Sequence, residues 1–352
     1  MLISPYHLFK YKSYRKINDF ITEHQNQYDL FISAFTYEEI VTTTFANLNS
    51  NKKVWLIFPE YHIDISKIDG KTFMCNEVNE NIKESEYICA MYNEYIKGNE
   101  NMKICVDTTG FNKPYLVSLI IYLKIQGIKE IDFIYTEPKL YQEKDKTQFS
   151  TLENIDAKKE KKKDVEMIIK PRDIETGNNY YSNAGQNDLF IINVGYDSKL
   201  VNSVINNVTA RVKKPLLGFP SLQPIMYQEN VLNLIKSKSD LGIEENEELL
   251  YAPANNPFIT AHVISEYIEK YVKENNKNTI KNIYLSPLAT KAQTIGMTLF
   301  YIFEQEKYED IDINIHIHYP FTDSYSASSS EGIFRINKYT IEFDLFDKIT
   351  KL

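Results

Sequence analysis

The residues best suited to chemistry lie in two short polar loops, each with a lysine at the start of an apolar segment. The Lys113 loop (residues 107–114) reads DTTGFNKP, and its glycine allows a tight backbone path before a proline suited to a helix start. The Lys291 loop (residues 286–293) reads SPLATKAQ and keeps the Thr-Lys pair. An ammonium beside the N–H groups of a helix N-terminus favours anion binding. A capped helix with one solvated lysine would have the same sequence.

Both loops supply candidate ligand-binding residues with short polar or cationic side chains. These are Thr108, Thr109, Asn112 and Lys113 in the first loop and Ser286, Thr290 and Lys291 in the second. Asp107 ends the strand-like run KICV and is the best single candidate for chemistry. It could act as a general base or accept a hydrogen bond from a ribose hydroxyl.

A carboxylate between two tyrosines follows the next apolar run in each half of the chain. Aromatic rings can stack on a base, and a carboxylate can accept from its amino edge or from ribose hydroxyls. The acid of either set is also a candidate catalytic acid or base. The same residues could instead finish a strand and solvate a turn, so both interpretations stay open. The two sets are Tyr135, Glu137 and Tyr141, and Tyr319, Asp323 and Tyr325.

Matching landmarks at slowly growing offsets indicate an internal duplication. Asp29 and Asp188 each precede a short apolar strand, at an offset of 188 − 29 = 159. The two loop lysines differ by 291 − 113 = 178, and the first tyrosines of the two sets by 319 − 135 = 184. The offset grows only between landmarks, as loop insertions would produce.

These patterns predict an α/β fold with two Rossmann-like units, mainly parallel sheets with helices on both faces, and antiparallel edge strands at the C-terminus. Residues 1–150 would form the first unit with an N-terminal cap. Residues 151–186 would form a charged connector with an added strand near 165–169, and residues 187–352 the second unit with the C-terminal edge strands. A ligand would bind beyond the carboxyl ends of the strands. Glu38 and Glu39 are interpreted as surface acids in the first turn of a helix.

The loop sequence Thr109-Gly110-Phe111-Asn112-Lys113 resembles the polar-lysine loop of CRISPR-associated Rossmann-fold (CARF) domains, which is similar to TGGTK before a helix. Residues 288–291 resemble it less closely, since no glycine precedes their Thr-Lys. Related SAVED domains fuse two CARF-like units in one chain. The resemblance implies binding of cyclic oligonucleotides in prokaryotic antiviral defence, with an effector protein as a further partner.

Composition and sequence motifs argue against several other classes of protein and binding site. A formal net charge of −8 argues against long duplex nucleic acid as the main partner. Three cysteines without CxxC spacing and the lack of a long apolar run or a leader pattern predict a cytoplasmic protein with no membrane partner. His316 and His318 lack a third metal ligand nearby and are interpreted as structural. Phosphate-loop and dinucleotide-binding motifs are missing, so no cofactor is predicted.

Three functional hypotheses follow. The first is a sensor that binds a nucleotide or another phosphorylated small ligand in the crevice between the duplicated units. The second is an enzyme, a hydrolase or transferase, that acts on such a ligand with Asp107 as acid or base. The third is a protein-interaction scaffold that kept the fold without the ligand.

Overall fold

The computed structural model describes residues 4–73, 83–141, 169–176, 184–195, 197–236, 249–322 and 330–349. In this part of the chain, strands form two mainly parallel sheets. The strands that precede the connector are β1 (Lys10–Tyr14), β2 (Tyr28–Ala34), β3 (Ser50–Leu56), β4 (Thr72–Phe73), β5 (Ile104–Asp107) and β6 (Glu130–Tyr141). The later strands are β7 (Ile169–Asp173), β8 (Leu189–Asn193), β9 (Val212–Gly218), β10 (Leu250–Ala252), β11 (Asn282–Pro287), β12 (Asn314–Thr322) and β13 (Ser330–Glu342).

Helices connect the parallel strands and cover the sheets. Those of the first half are α1 (Ile17–His24), α2 (Glu39–Asn47), α3 (Glu84–Tyr95) and α4 (Lys113–Ile125). Those of the second half are α5 (Ser198–Asn207), α6 (Pro224–Lys236), α7 (Pro257–Glu274), α8 (Lys291–Glu309) and the short α9 (Leu345–Ile349). No helix in these described ranges is long and apolar enough to span a membrane.

The two sheets repeat the same strand order. The parallel strands run β4-β3-β2-β5-β6 in the first sheet and β10-β9-β8-β11-β12 in the second. Numbered within each unit, both orders are third-second-first-fourth-fifth, which is the Rossmann arrangement. The prediction of two Rossmann-like α/β units is therefore confirmed.

The two units exchange their sixth strands. Strand β13 pairs antiparallel with β6 of the first sheet, although it follows β12 in the chain. Strand β7 follows β6 in the chain but pairs antiparallel with β12 of the second sheet. Each unit therefore completes its sheet with a strand that comes after the fifth strand of the other unit.

This exchange changes the predicted division of the chain. The sequence placed the C-terminal strand in a second unit of residues 187–352, whereas β13 extends the first sheet and has β1 on its outer side. The added strand predicted near 165–169 covers Ile169–Asp173, and residues 165–168 lie outside the described ranges. The N-terminal cap contributes a strand, β1, as well as α1. Pairing between distant segments depends on tertiary contacts that local patterns do not encode.

Buried apolar runs explain the central strands. All five residues of β8 and all four of β5 are buried, as expected for parallel strands covered by helices on both faces. Helices α4 and α8 pack against each other between the units, and Nζ of Lys124 donates to the backbone carbonyl of Ile302 there. The same ammonium lies 4.9 Å from the ring centroid of Phe303. The equivalent helices of the duplication thus form part of the contact between the units.

Candidate ligand-binding pocket

A pocket lies where the carboxyl ends of the two sheets face each other. Its walls combine the Lys113 and Lys291 loops with residues that begin α2 and α5, and its empty volume is about 1300 Å³ including the open mouth. Clefts at the carboxyl ends of parallel strands are the usual ligand sites of open α/β sheets. Both halves of the chain contribute to this pocket.

Asp107 is fully buried and fixes the Lys113 loop by hydrogen bonds. Its carboxylate accepts hydrogen bonds from the backbone N–H of Thr109 at 3.0 Å, from the Thr109 hydroxyl at 2.5 Å and from the Ser33 hydroxyl at 3.2 Å. Burial raises the pKa of Asp107 to about 6, and these hydrogen bonds oppose the rise. The carboxylate orients the loop and is not among the residues that line the pocket.

Thr108 and Ser286 occupy equivalent structural positions. The Thr108 hydroxyl donates to the carbonyl of Ile134, and the Ser286 hydroxyl donates to the carbonyl of His318, both at 2.8 Å. The offsets are 286 − 108 = 178 and 318 − 134 = 184, the same as those of the lysine and tyrosine landmarks. Both hydroxyls fix a loop to the neighbouring strand, and neither of these predicted ligand-binding residues lines the pocket.

In each unit, a glycine lets the lysine loop lie close to a neighbouring backbone segment. The glycine belongs to the lysine loop in the first unit and to the neighbouring segment in the second. A Cβ atom at Gly110, in the Lys113 loop, would lie 2.2 Å from the backbone oxygen of Ala34. In the second unit, a Cβ at Gly195 would lie 2.3 Å from the backbone oxygen of Leu288, in the Lys291 loop. The missing glycine of the Lys291 loop is therefore compensated by a glycine in the loop that it contacts.

Both predicted lysines line the pocket at the first position of their helices. Nζ of Lys113 donates to the backbone carbonyl of Leu288 in the other unit at 3.0 Å. Loss of surrounding water, with the charge of Lys291, lowers the pKa of Lys113 to about 7, while Asp197 opposes the shift. Burial lowers the pKa of Lys291 to about 8, and Glu38 opposes that shift.

Two acidic residues at equivalent positions of the two units line the pocket together with the lysines. Glu38 lies immediately before α2 and Asp197 immediately before α5, at an offset of 197 − 38 = 159, and both line the pocket. Each acts electrostatically on the lysine of the other unit, Glu38 on Lys291 and Asp197 on Lys113. Glu38 is only 9% exposed and accepts from the Ser330 hydroxyl at 2.7 Å, so its interpretation as a surface acid was wrong.

Asn112 has a polar side chain at the entrance of α4 for which the described residues supply no hydrogen bond. It lines the pocket and is 4% exposed, yet its side chain does not cap the helix. Thr290, at the same position before α8, donates to the carbonyl of Ala254 at 2.5 Å and caps the helix through the N–H of Gln293. Among the described residues, the Asn112 side chain before α4 is therefore available to a ligand, whereas the Thr290 side chain before α8 is engaged in hydrogen bonds within the protein.

The remaining predicted residues have mixed placements. Tyr135, Tyr319 and Thr109 line the pocket. Glu137 is buried in the sheet, where Nε of Arg335 donates to it at 2.7 Å and Nδ2 of Asn337 at 2.6 Å, so the catalytic role predicted for it has no support from its position. Asp323, Tyr325 and the side chain of Tyr141 lie outside the described residues.

The two histidines form a structural cluster with Asp173 of β7. Nδ1 of His316 lies 3.0 Å and Nδ1 of His318 2.7 Å from the carboxylate of Asp173 on β7. Among the described residues there is no group of three or more acidic, cysteine or histidine side chains that could hold a metal ion. The cluster fixes the exchanged strand β7 to β12.

The fold defines a tandem Rossmann-like α/β protein. Neither a protein-family model nor a curated protein matches the chain. Among solved structures, it is similar to a ketoreductase domain from the bacillaene assembly line, with 12% identity, a TM-score of 0.20, and coverage of 86% of this chain and 69% of that one. A likeness at this TM-score carries no argument about function.

Proposed function

We propose that this protein is a sensor that binds a phosphorylated ligand of the nucleotide class in the pocket between its two units. The observation that carries the proposal is the pair of equivalent lysines, Lys113 and Lys291, at helix N-termini in one pocket. An anion there would interact with an ammonium group and with the N–H groups of a helix start. The resemblance of the loops to CARF domains favours a cyclic oligonucleotide as that anion.

The two pocket lysines support a ligand with more than one phosphate. Lys291 makes no hydrogen bond or ion pair within the described residues, and Lys113 bonds only a backbone carbonyl. Burial disfavours both ammonium groups, as their lowered pKa values indicate. One phosphate at each lysine would relieve this cost in both units.

The pocket favours binding over turnover. Asp107 and Glu137, two of the three acids on which the enzyme hypothesis rested, are engaged in protein hydrogen bonds outside the pocket wall, and the third, Asp323, lies outside the described residues. Tyr135 and Tyr319 lie in the wall, where aromatic rings can contact bases. A sensor of this kind would act in the cytoplasm, and an effector protein would respond to the bound state.

The proposal can be tested by thermal unfolding in the presence of mononucleotides, dinucleotides and cyclic oligonucleotides, with mass spectrometry of each stabilising compound. A ligand that binds only the folded protein raises the unfolding temperature. We expect stabilisation by an intact cyclic oligonucleotide, and its loss in the double variant Lys113→Met with Lys291→Met. Lys270→Met, which changes an exposed lysine of α7, is the matched control.

Two outcomes would contradict the sensor proposal. Consumption of the stabilising compound by the wild type would establish an enzyme. Absence of stabilisation by every phosphorylated compound would leave the scaffold hypothesis.

A further inference from the structure

Asn230 is a polar side chain in the pocket wall that the anion site does not use. It lies on α6 and is 7% exposed. Its Oδ1 atom is buried without a hydrogen-bond partner, and the described residues offer no partner to its amide nitrogen either. Within the described ranges, the whole carboxamide is therefore unpaired at the edge of a cavity.

Asn193 and Gln293, two other buried amides near this wall, are satisfied by the protein. Nδ2 of Asn193 donates to the carbonyl of Leu216 at 3.2 Å, and its Oδ1 accepts from the N–H of Ala289 at 3.3 Å. Nε2 of Gln293 donates to the carbonyl of Ala252 at 3.4 Å. A buried amide without partners loses its hydration and gains nothing in return. In the described part of the chain, Asn230 and Asn112 are thus the carboxamides of this wall that are available to a ligand, and Asn112 lies beside the anion site at the start of α4.

The surroundings of Asn230 suit a flat heterocycle. Met226 precedes it by one helical turn and lines the same pocket, as do Leu200 and Leu222. These side chains offer apolar contact to the faces of a ring, whereas a carboxamide presents a donor and an acceptor side by side. That pair matches the edge of a base that carries an adjacent donor and acceptor.

We propose that Asn230 is the base-recognition residue of the second unit, and that it binds the hydrogen-bonding edge of a nucleobase packed on Met226 and Leu222. The inference rests on the proposed function, because it assigns the base of the same phosphorylated ligand. It distinguishes a nucleotide from an inositol phosphate or a polyphosphate, which would satisfy the lysines but not the amide.

The test compares dissociation constants for cyclic and linear oligonucleotides made with each of the four bases, and for their abasic counterparts. We expect the wild type to prefer one base over the abasic compound by roughly tenfold or more. In Asn230→Leu that preference should disappear while the affinity for the abasic compound stays unchanged. Asn230→Ser, which retains a polar group, serves as a second variant if leucine prevents folding.

The outcomes separate the two proposals. If Asn230→Leu keeps the base preference, or if the wild type binds abasic and complete ligands equally, the assignment of Asn230 is wrong and the anion site stands. If no phosphorylated compound binds the wild type, the proposed function and the assignment both fail. A uniform loss of affinity for all compounds, including the abasic ones, would indicate a merely structural role and would also overturn the assignment.

Discussion

Lys113 and Leu288 lie 175 residues apart and belong to different units, yet Nζ of Lys113 donates to the Leu288 carbonyl at 3.0 Å. The lysine of the first loop therefore contacts the backbone of the second loop. Lys291 has no such contact in the described part of the chain. Replacement of Lys113 therefore removes a hydrogen bond between the two units, whereas replacement of Lys291 removes no hydrogen bond seen in the described residues.

Replacement of each lysine by methionine should separate binding from stability. We expect each variant to bind a phosphorylated ligand about tenfold to a hundredfold more weakly, because each loses a hydrogen bond from a charged group. Lys291→Met should unfold at the wild-type temperature or above it, whereas Lys113→Met also loses its bond to Leu288. Calorimetric titration and thermal unfolding measure the two effects. Equal affinities of wild type and variants would exclude the lysines from the site.

Binding should weaken as the pH rises from about 7 to about 9. The lowered pKa values, about 7 for Lys113 and about 8 for Lys291, mean that both amines lose their charge in this interval when the pocket is empty. An anionic ligand favours the charged form, so binding above pH 7 should take up protons. Titration calorimetry in buffers of different ionisation enthalpy counts them. Proton release, or an affinity independent of pH, would contradict this expectation.

The same lysines should make the folded protein more stable as the pH rises, whereas ligand binding weakens. An unfolded lysine keeps a pKa near 10.4, so between about pH 7 and pH 10 the unfolded chain binds more protons than the folded one. The contribution of the lysines to the free energy of unfolding therefore increases with pH. Chemical denaturation across this range should give a smaller increase in the double methionine variant than in the wild type or in Lys270→Met.

Local sequence patterns predicted the loops better than the contacts around them. The offsets of 178 and 184, set by the lysine and tyrosine pairs, also relate Thr108 to Ser286 and Ile134 to His318, which form equivalent hydrogen bonds, because a duplication preserves spacing along the chain. The role of Gly195 could not be predicted, since its need for a small side chain arises from the distant Leu288. The buried state of Glu38 and the unpaired amide of Asn230 likewise depend on how the two units meet.

Alanine at either loop glycine should disturb the pocket. The added Cβ would lie 2.2 Å from a backbone oxygen at position 110 and 2.3 Å from one at position 195, and a backbone atom cannot move aside cheaply. We expect each variant to lose about 1–3 kcal/mol of unfolding free energy and to bind ligand more weakly. Gly218→Ala is a control for stability alone, because its nearest neighbour is a side-chain carbon at 3.1 Å but Gly218 itself lines the pocket. Wild-type stability in Gly110→Ala would contradict the close loop contact.

Asp107 should prove structural when it is replaced by asparagine and by alanine. Its folded pKa of about 6 exceeds the unfolded value near 3.9, so its carboxylate reduces stability as the pH rises from about 4 to about 6. Asparagine should remove this pH dependence and preserve ligand binding. Alanine leaves the Thr109 donors without an acceptor and should cost about 1–3 kcal/mol. Loss of a measured turnover in Asp107→Asn, with binding intact, would restore the enzyme hypothesis.

Asp173 should anchor the exchanged strand β7. Burial alone would raise its pKa, but hydrogen bonds from His316 and His318 lower the pKa to about 2. This folded value lies below the unfolded one near 3.9, so the carboxylate stabilises the protein above about pH 4, and the benefit is lost as the pH falls to about 2.

At pH 7, Asp173→Asn should cost about 2–3 kcal/mol and speed amide hydrogen exchange in β7. Asp69→Asn, at an exposed acid, is the control. If exchange in β7 stays at the wild-type rate, the histidine cluster does not hold the exchanged strand.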